Sequence, residues 1–334
     1  SRKVIQKYIN ASKSEEIIFT KGTTDAINLV SNSFGELLSE GDEILISAME
    51  HHSNIVPWQM LCERKGCVLR IIPINEEGEI IQEEYDKLLS NKTKLVAITH
   101  ISNTLGTINP VRTMTEKAHA VGAKMLIDGA QSIQHKKIDV LDIDCDFFVF
   151  SGHKVFGPTG IGVLYGKEAI LDEMPPYQGG GDMIAKVSFE KTTYNELPFK
   201  FEAGTPHIAG AICLGTAIQY LNTLDMDAVL RYEADLADYA EGLLDTFEGL
   251  RIIGQAKKKT SVVSFVIDGI HPFDLGTLLD KQGIAVRTGH HCTQPLMDFY
   301  KIPGTTRASF AFYNTKEEID IFIGAVERAI SMLK

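Results

Sequence analysis

The chain reads AKMLIDGAQS over residues 123–132 and DFFVFSGHK over residues 146–154. In both stretches a short apolar run ends abruptly in polar residues, which is the pattern of a buried strand that ends at the edge of a sheet. Ligands of open α/β sheets bind beyond the carboxyl ends of the strands. Asp128 and Lys154, which end or follow these runs, are therefore the first candidate site residues.

Four more apolar runs surround these two, with helical patterns between them. They read EILIS (43–47), VLRIIPI (68–74), KLVAITH (94–100) and IGVLYG (161–166). Strands that alternate with helices predict an α/β fold with a mostly parallel sheet that is covered on both faces. Between Met174 and Pro206 the periodicity fades, and this segment is predicted to be a long loop that carries a short hairpin.

The remainder of the chain predicts a smaller α+β unit. Helical patterns cover about 207–222, 227–248, 273–282 and 316–333, and strand patterns cover 261–268, 284–288 and 307–314. We place a domain boundary near residue 222. It divides the chain into a large domain, 1–222, which contains both candidate site residues, and a small C-terminal domain, 223–334.

The composition narrows the classes of function. The 334 residues include 33 Lys and Arg against 44 Asp and Glu, for a formal net charge of −11. A charge of this sign repels nucleic acid and anionic membrane surfaces, so neither is an expected partner. The longest apolar stretch, 209–221, is shorter than the roughly 20 residues that cross a bilayer.

The five cysteines are widely spaced and lack the paired spacing of a zinc site. No resident metal is therefore expected, and the odd number of cysteines favours a reducing, cytoplasmic location. The chain opens with SRKVIQKYIN, which shows no signal-peptide pattern and no initiating methionine. We therefore expect this sequence to begin within a longer protein.

A lysine and a carboxylate at neighbouring strand ends match the needs of pyridoxal phosphate, which bonds covalently to an amine and pairs its pyridinium nitrogen with an acid. Burial of Lys154 is expected to lower the pKa of its amine and make it nucleophilic. Asp128 is the candidate acid. The segment Gly22-Thr23-Thr24 begins a helix, where N–H groups and the helix dipole favour a phosphate. Further donors and an aromatic ring are available from Ser151, His153 and His51.

Seven motifs in chain order, from Gly22 to Asn314, carry a resemblance to a known family. They are GTTDAINLV, EHHSNIVPWQ, SNTLGTINP, IDGAQS, SGHK-x-x-GPTGIGVLYG, FEAGTP and RTGHHC. The sequence resembles the NifS-like cysteine desulfurases, in particular the Suf-type group, which also contains selenocysteine lyases. The short Arg287-to-Cys292 spacing and the insertion near 180–203 look like that group. The leading segment of the family, with its Asp-Asn-Ala-Ala-type motif, does not precede Ser1 in this sequence.

The resemblance implies a fold-type I pyridoxal phosphate enzyme of the class V aminotransferase superfamily. It also implies a homodimer that acts on L-cysteine or L-selenocysteine and passes sulfur to a Suf-type acceptor protein for iron-sulfur cluster assembly. By motif, the implied Schiff-base lysine is Lys154, the pyridinium partner Asp128, the donor to the phenolic oxygen Gln131 and the stacking residue His51. The implied phosphate ligands are Thr23, Thr24, Ser151 and His153, with Thr205 from the second subunit. Asn103 is implied to contact cofactor and substrate, Arg307 to bind the substrate carboxylate and Arg287 to shape the same pocket.

Cys292 separates desulfuration from the other reactions of this cofactor. It follows Arg-Thr-Gly-His-His, and nearby cations favour the thiolate form of a cysteine. Cys145 and Cys213 stand in apolar settings and are predicted to be buried small hydrophobes. In the resembled mechanism Cys292 attacks the substrate sulfur, which leaves L-alanine and a persulfide on Cys292.

Other classes fit the residues less well. A dinucleotide-dependent oxidoreductase lacks its G-x-G-x-x-G, and GVLYGK at 162–167 has the wrong spacing for a phosphate-binding P-loop. An aminotransferase or kynureninase-like lyase would keep Lys154 and Asp128 but has no use for Cys292. A non-catalytic sulfur-relay scaffold should have lost some catalytic positions, whereas all are present. The sequence does not separate cysteine from selenocysteine as the substrate.

Overall fold

The computed structural model describes the whole chain, Ser1–Lys334, and its largest feature is a seven-stranded sheet. In chain order the strands are β1 (Ile17–Thr20), β2 (Glu43–Ser47), β3 (Val68–Ile72), β4 (Thr93–Thr99), β5 (Lys124–Asp128), β6 (Phe147–Ser151) and β7 (Gly162–Gly166). They lie in the order β1-β7-β6-β5-β4-β2-β3. Strands β2 to β6 are parallel, whereas β7 and β1 pair antiparallel. The predicted mostly parallel sheet is confirmed, and β1 is a strand that the sequence analysis did not predict.

Helices cover both faces of this sheet. They are α1 (Arg2–Tyr8), α2 (Thr23–Ser33), α3 (Val56–Lys65), α4 (Gln82–Leu88), α5 (Val111–Ala120), α6 (Ser132–His135), α7 (Val140–Ile143), α8 (Glu168–Glu173) and α9 (Ile208–Leu221). Apolar side chains of α2 and α3 enter one core, and those of α5 enter the other. Pro110 is the N-cap of α5, and the helix begins at Val111.

The alternation of side chains along β5 shows why the strands read as continuous apolar runs. Met125 and Ile127 belong to one core, whereas Leu126 belongs to the core on the opposite face, and all three are fully buried. A strand that is buried on both faces needs apolar residues at every position. The only polar residue in this strand that is fully enclosed is Asp128, at its carboxyl end.

The predicted hairpin is present as β8 (Ile184–Val187) and β9 (Thr192–Tyr194). The remainder of the chain forms α10 (Met226–Leu244), β10 (Leu250–Ile253), β11 (Val262–Ile267), α11 (Pro272–Asp280), β12 (Arg287–Gly289), α12 (Gln294–Tyr300), β13 (Thr305–Ser309) and α13 (Lys316–Leu333). Its four strands form an antiparallel sheet in the order β10-β11-β13-β12. This is the expected α+β arrangement, although β12 begins at Arg287 rather than near residue 284.

The second sheet has a core of its own, to which α10, α11 and α13 contribute. Residues Ile253, Leu296 and Tyr300, however, pack into the core of the large sheet. The predicted boundary near residue 222 falls in the turn between α9 and α10, and the division into two domains stays a prediction. None of the helices combines the length and the apolar character that a membrane crossing requires.

Candidate active site

A polar cavity of about 250 Å³ lies at the carboxyl ends of β4, β5 and β6. Only two of its sixteen lining residues are hydrophobic. The predicted site residues that line it are Thr23, Thr24, His51, Asn103, Asp128, Gln131, Ser151, His153, Lys154, Arg287 and Arg307. The structure therefore brings together all the predicted site residues except Thr205 and Cys292.

Lys154 stands on a single helical turn, Gly152–Val155, that follows β6 directly. Burial lowers the pKa of its amine, and the positive charges of Arg307 and Arg287 lower it further. Asp128 opposes this effect with its negative charge. The direction agrees with the expectation from the sequence, and it increases the fraction of neutral, nucleophilic amine.

Asp128 is a buried acid without a cationic partner in hydrogen-bond contact. Only 4% of its surface is exposed, and Oδ1 accepts a hydrogen bond of 2.9 Å from the Ala130 N–H. Burial raises the pKa of the carboxyl to about 6, although the Ala130 hydrogen bond and the charge of Lys154 lower it. A cation placed beside this carboxyl would favour its ionised form.

The start of α2 presents hydroxyl and N–H groups to the cavity. Thr23 N–H donates to Ser151 Oγ at 2.8 Å, and Thr24 Oγ1 lies 2.7 Å from Ser53 Oγ. Gly22 is the N-cap, and no side chain caps this helix. A Cβ on Gly22 would lie 3.1 Å from Ser151 Oγ, and a side chain there would crowd this group of donors.

His51 lies on the segment that follows β2, with its ring lining the cavity. Its Nδ1 accepts a hydrogen bond of 3.0 Å from the Ser53 N–H. Burial lowers the pKa of the ring to about 4, with further lowering by His52, Lys154 and Arg287. The imidazole is therefore neutral near pH 7, and its flat ring adds no positive charge to the cavity.

Two guanidinium groups also line the cavity. Arg287 on β12 and Arg307 on β13 are directly paired across the two strands. Arg307 donates from Nη1 to the Asn103 carbonyl at 2.7 Å, and its Nε is buried without a partner. Neither arginine forms a salt bridge with a carboxylate of the chain. The pair is therefore free to bind an external carboxylate.

Cys292 lies outside the cavity wall, half-buried in the loop between β12 and α12. His52 N–H donates to the Cys292 carbonyl at 2.8 Å, and His52 Nε2 accepts from the Gln294 N–H at 3.1 Å. Asn103 Nδ2 donates to the His291 carbonyl at 2.8 Å. The sequence analysis assigns no role to His52, and the His-His doublet in EHHSNIVPWQ is the only signal of this contact in the sequence.

Comparison with known proteins shows the family to which the chain belongs. The aminotransferase class-V family description matches residues 1–322. A cysteine desulfurase of Enterobacter is 52% identical over 334 residues, which are 99% of this chain and 82% of the relative. One of Synechococcus elongatus is 50% identical over 329 residues, 98% of this chain and 53% of the relative. This chain belongs to the cysteine desulfurases of the aminotransferase class-V family.

A solved structure agrees with this membership. The crystal structure of the cysteine desulfurase CsdA from Escherichia coli superimposes with a TM-score of 0.97 at 38% identity. The match covers 100% of this chain and 83% of that one. The chain thus spans about four fifths of the Enterobacter and E. coli proteins, and about half of the Synechococcus relative.

Besides Cys292, the predicted site residue Thr205 lies apart from the cavity, and Cys213 differs from expectation. Thr205 is exposed and lines a separate groove with Tyr177 and His207, so its predicted role across a subunit boundary stays a prediction. Cys213 is exposed on α9, which corrects the expectation that it is buried. Ile212 beside it is exposed as well, although Leu214 on its other side is fully buried, and Cys145 is buried as predicted.

Proposed function

We propose that this cysteine desulfurase binds pyridoxal phosphate in the Lys154 cavity and converts L-cysteine to L-alanine, with the sulfur transferred to Cys292. The supporting observation is the convergence of three groups on one cavity. These groups are an amine whose pKa is lowered, a buried carboxyl and two guanidinium groups without carboxylate partners. The loop that carries Cys292 accepts a hydrogen bond from Asn103, which lines the same cavity.

The donor set fits the proposed cofactor. A pyridinium nitrogen is the cationic partner that the buried Asp128 lacks, and the uncapped start of α2 with Ser151 suits a phosphate dianion. His153 also lines the cavity. The neutral ring of His51 is available to stack on a pyridine ring, and Gln131 lines the cavity beside Asp128.

When bound, pyridoxal phosphate withdraws electrons from the α-carbon of an amino acid and so weakens the bonds to that carbon. Arg307 and Arg287 orient the substrate by its carboxylate, and Asn103 positions Arg307 through its carbonyl. Lys154 Nζ is the base that accepts a proton from the substrate α-carbon, because its lowered pKa favours the neutral amine.

Sulfur transfer is assigned to Cys292 Sγ as a thiolate. A bond forms between Sγ and the substrate sulfur while the substrate carbon–sulfur bond breaks, and its electron pair stays on the carbon fragment. That fragment takes up a proton and is released as alanine. The protein keeps a persulfide. The substrate carbon is thereby reduced, and the two sulfur atoms are oxidised to the disulfide level.

We further propose a cytoplasmic homodimer in which Thr205 reaches the cavity of the partner, and a Suf-type acceptor that takes the sulfur for iron-sulfur cluster assembly. Exposed apolar residues on α9, Ile208 and Ile212, support a protein contact on that face. The net charge of −11 supports protein and small-molecule partners rather than nucleic acid.

The test is to react the cofactor-loaded protein with L-cysteine, measure alanine and locate the added sulfur by mass spectrometry of peptides. We expect the sulfur on Cys292, and we expect Cys292→Ala to lower alanine formation at least a hundredfold while the cofactor spectrum is kept. Cys213→Ala is the control. Added sulfur on another cysteine, together with normal turnover by Cys292→Ala, would refute the proposal. Faster turnover of L-selenocysteine that survives in Cys292→Ala would instead identify a selenocysteine lyase.

A further inference from the structure

A second cavity, of about 600 Å³, shares no residue with the Lys154 cavity. It lies between the start of α5, the segment that joins α6 to α7 and the loop that joins β10 to β11. Five cationic side chains line it, against three acidic ones. The cations are Arg112, Lys136, Lys137, Lys257 and Lys258, and the acids are Glu79, Asp139 and Asp142. This is a local excess of positive charge in a chain whose net charge is −11.

The four lysines of this cavity have no carboxylate partner within 4 Å. Several lysines elsewhere in the chain do form ion pairs. Lys136 is half-buried. Its pKa is lowered by burial first and by the positive charge of Lys258 second. Such an arrangement of like charges is unfavourable in the free protein, and a bound anion would relieve it.

The acids of the cavity are already engaged with other groups. Asp142 accepts from Arg112 Nη1 at 2.8 Å, and Glu79 Oε1 accepts from the Lys257 N–H at 3.0 Å. Asp139 caps α7 through the Leu141 and Asp142 N–H groups. Each acid therefore already accepts a hydrogen bond, and none forms an ion pair with a lysine side chain of the cavity.

Two further features supply hydrogen-bond donors to this cavity. The ten-residue helix α5 has no side-chain cap, and Arg112 and Thr113 of its first turn line the cavity. His100 also lines it, with only 5% of its surface exposed. Its ring makes no hydrogen bond within the chain, and Nδ1 is fully enclosed without a partner. Burial and Lys136 lower the pKa of this ring to about 3, so it is neutral near pH 7 and has one N–H to donate.

We infer that this cavity binds a small oxyanion of multiple negative charge, of the chemical class of pyrophosphate and phosphorylated metabolites, through Lys136, Lys258, His100 and the start of α5. The charge excess selects an anion, and the uncapped helix start and unpartnered imidazole supply directed donors. The volume admits a ligand larger than a single phosphate. The site is separate from the donors assigned to the cofactor phosphate, because the two cavities share no residue.

The experiment uses the cofactor-loaded protein, so that the phosphate donors at Thr23 are occupied. Pyrophosphate is titrated calorimetrically at low ionic strength, and the titration is repeated in sodium chloride. We expect saturable one-to-one binding that survives moderate chloride. We also expect Lys136→Gln with Lys258→Gln to weaken binding at least tenfold. Lys281→Gln removes an exposed lysine outside the cavity and should leave binding unchanged.

A second variant guards against loss of folding through the half-buried Lys136. Lys258 is exposed, so Lys258→Glu should fold normally and still weaken pyrophosphate binding at least tenfold. Desulfuration of L-cysteine without pyrophosphate should not change in either lysine variant. Absence of binding by the unaltered protein at millimolar pyrophosphate would overturn the inference. Equal binding by Lys258→Glu, or full displacement by equimolar chloride, would overturn it too.

Discussion

His52 connects the region after β2 to the loop that carries Cys292. Its N–H donates to the Cys292 carbonyl and its Nε2 accepts from the N–H of Gln294, the first residue of α12, which holds the end of the loop in place. Its ring also lies 5.7 Å from the ring of His290. His52 touches none of the proposed reacting atoms and acts through the loop, so we class it as a positioning residue.

Replacement of His52 by alanine keeps its backbone N–H but removes the acceptor of the Gln294 hydrogen bond. We expect persulfide formation on Cys292 to slow about tenfold, which corresponds to ~1.4 kcal/mol, because the thiol is less well placed. Cofactor absorbance and the KM for L-cysteine should stay the same. His52→Gln, which restores an acceptor, should recover part of the rate, and an unchanged rate in His52→Ala would remove the assigned role.

Asp128 provides a prediction in which stability and cofactor binding change in opposite directions. Its pKa is raised from 3.8 to about 6 in the folded chain, so the folded state binds more protons than the unfolded state between these values. Stability of the cofactor-free protein therefore falls as pH rises through this window. Asp128→Asn has no carboxyl group to ionise, so the variant avoids this loss of stability. The loss is about 3 kcal/mol above pH 6, because one pKa unit corresponds to ~1.4 kcal/mol.

Urea unfolding of the cofactor-free Asp128→Asn variant and the unaltered protein measures this effect. The advantage of the variant should be larger at pH 8 than at pH 5 by about 1–2 kcal/mol. Affinity for pyridoxal phosphate should fall in the same variant, because a neutral amide pairs poorly with a pyridinium nitrogen. A variant that is less stable than the unaltered protein at pH 8 would contradict the assigned burial cost.

At the level of helices and strands, burial on both faces made the central strands predictable, since their sequences are continuous apolar runs. β1 was not predicted, because its four residues gain their partners only by antiparallel pairing with β7, far along the chain. The strand-end residues of the site were predictable because parallel strands end together. The contact of His52 with Gln294 was not, because 242 positions separate the two residues.

The connection between β5 and α6 requires glycine at position 129. A Cβ there would lie 2.0 Å from Cζ of Phe148, which is fully buried. Gly129→Ala should therefore destabilise the fold by about 1–3 kcal/mol and shift the neighbouring Asp128. Thermal unfolding and the cofactor affinity check this.

Gly242→Ala is a matched control for Gly129→Ala. Gly242 lies within α10, and a Cβ there has no heavy atom within 4 Å. This substitution should stabilise the protein by roughly 0.5–1 kcal/mol, because alanine favours the helix. If both substitutions destabilise equally, contact with Phe148 is not the cause.

At the level of the whole molecule, the Lys154 cavity draws residues from both sheets, and the proposed dimer adds Thr205 from a second chain. The sequence could predict which residues share the cavity, because the family motifs name them. It could not predict the exposure of Cys213 and Ile212, since an apolar helix such as α9 reads as buried whether its cover is the same chain or another.

Ile212 offers a test of the proposed dimer. Its side chain is 59% exposed on α9. We expect Ile212→Asp to convert the dimer to a monomer in sedimentation experiments and to weaken pyridoxal phosphate binding, because Thr205 of the partner is lost. Ile321, also 59% exposed but on α13, is the matched position, and Ile321→Asp should stay dimeric. A monomeric unaltered protein with full activity would refute the dimer proposal.

The loop between β12 and α12 limits how sulfur can leave the protein. It has four residues, 290–293, and two of its backbone carbonyls accept hydrogen bonds from the His52 N–H and from Asn103 Nδ2. His291 and Cys292 both adopt left-handed backbone conformations, with φ of 50° and 60°, which restricts rearrangement further. If Cys292 carries the persulfide, as proposed, this short tether keeps the outer sulfur close to the cavity. We therefore expect a sulfur acceptor to extend its own nucleophile inward, so that the reach of this visiting segment decides which proteins receive the sulfur.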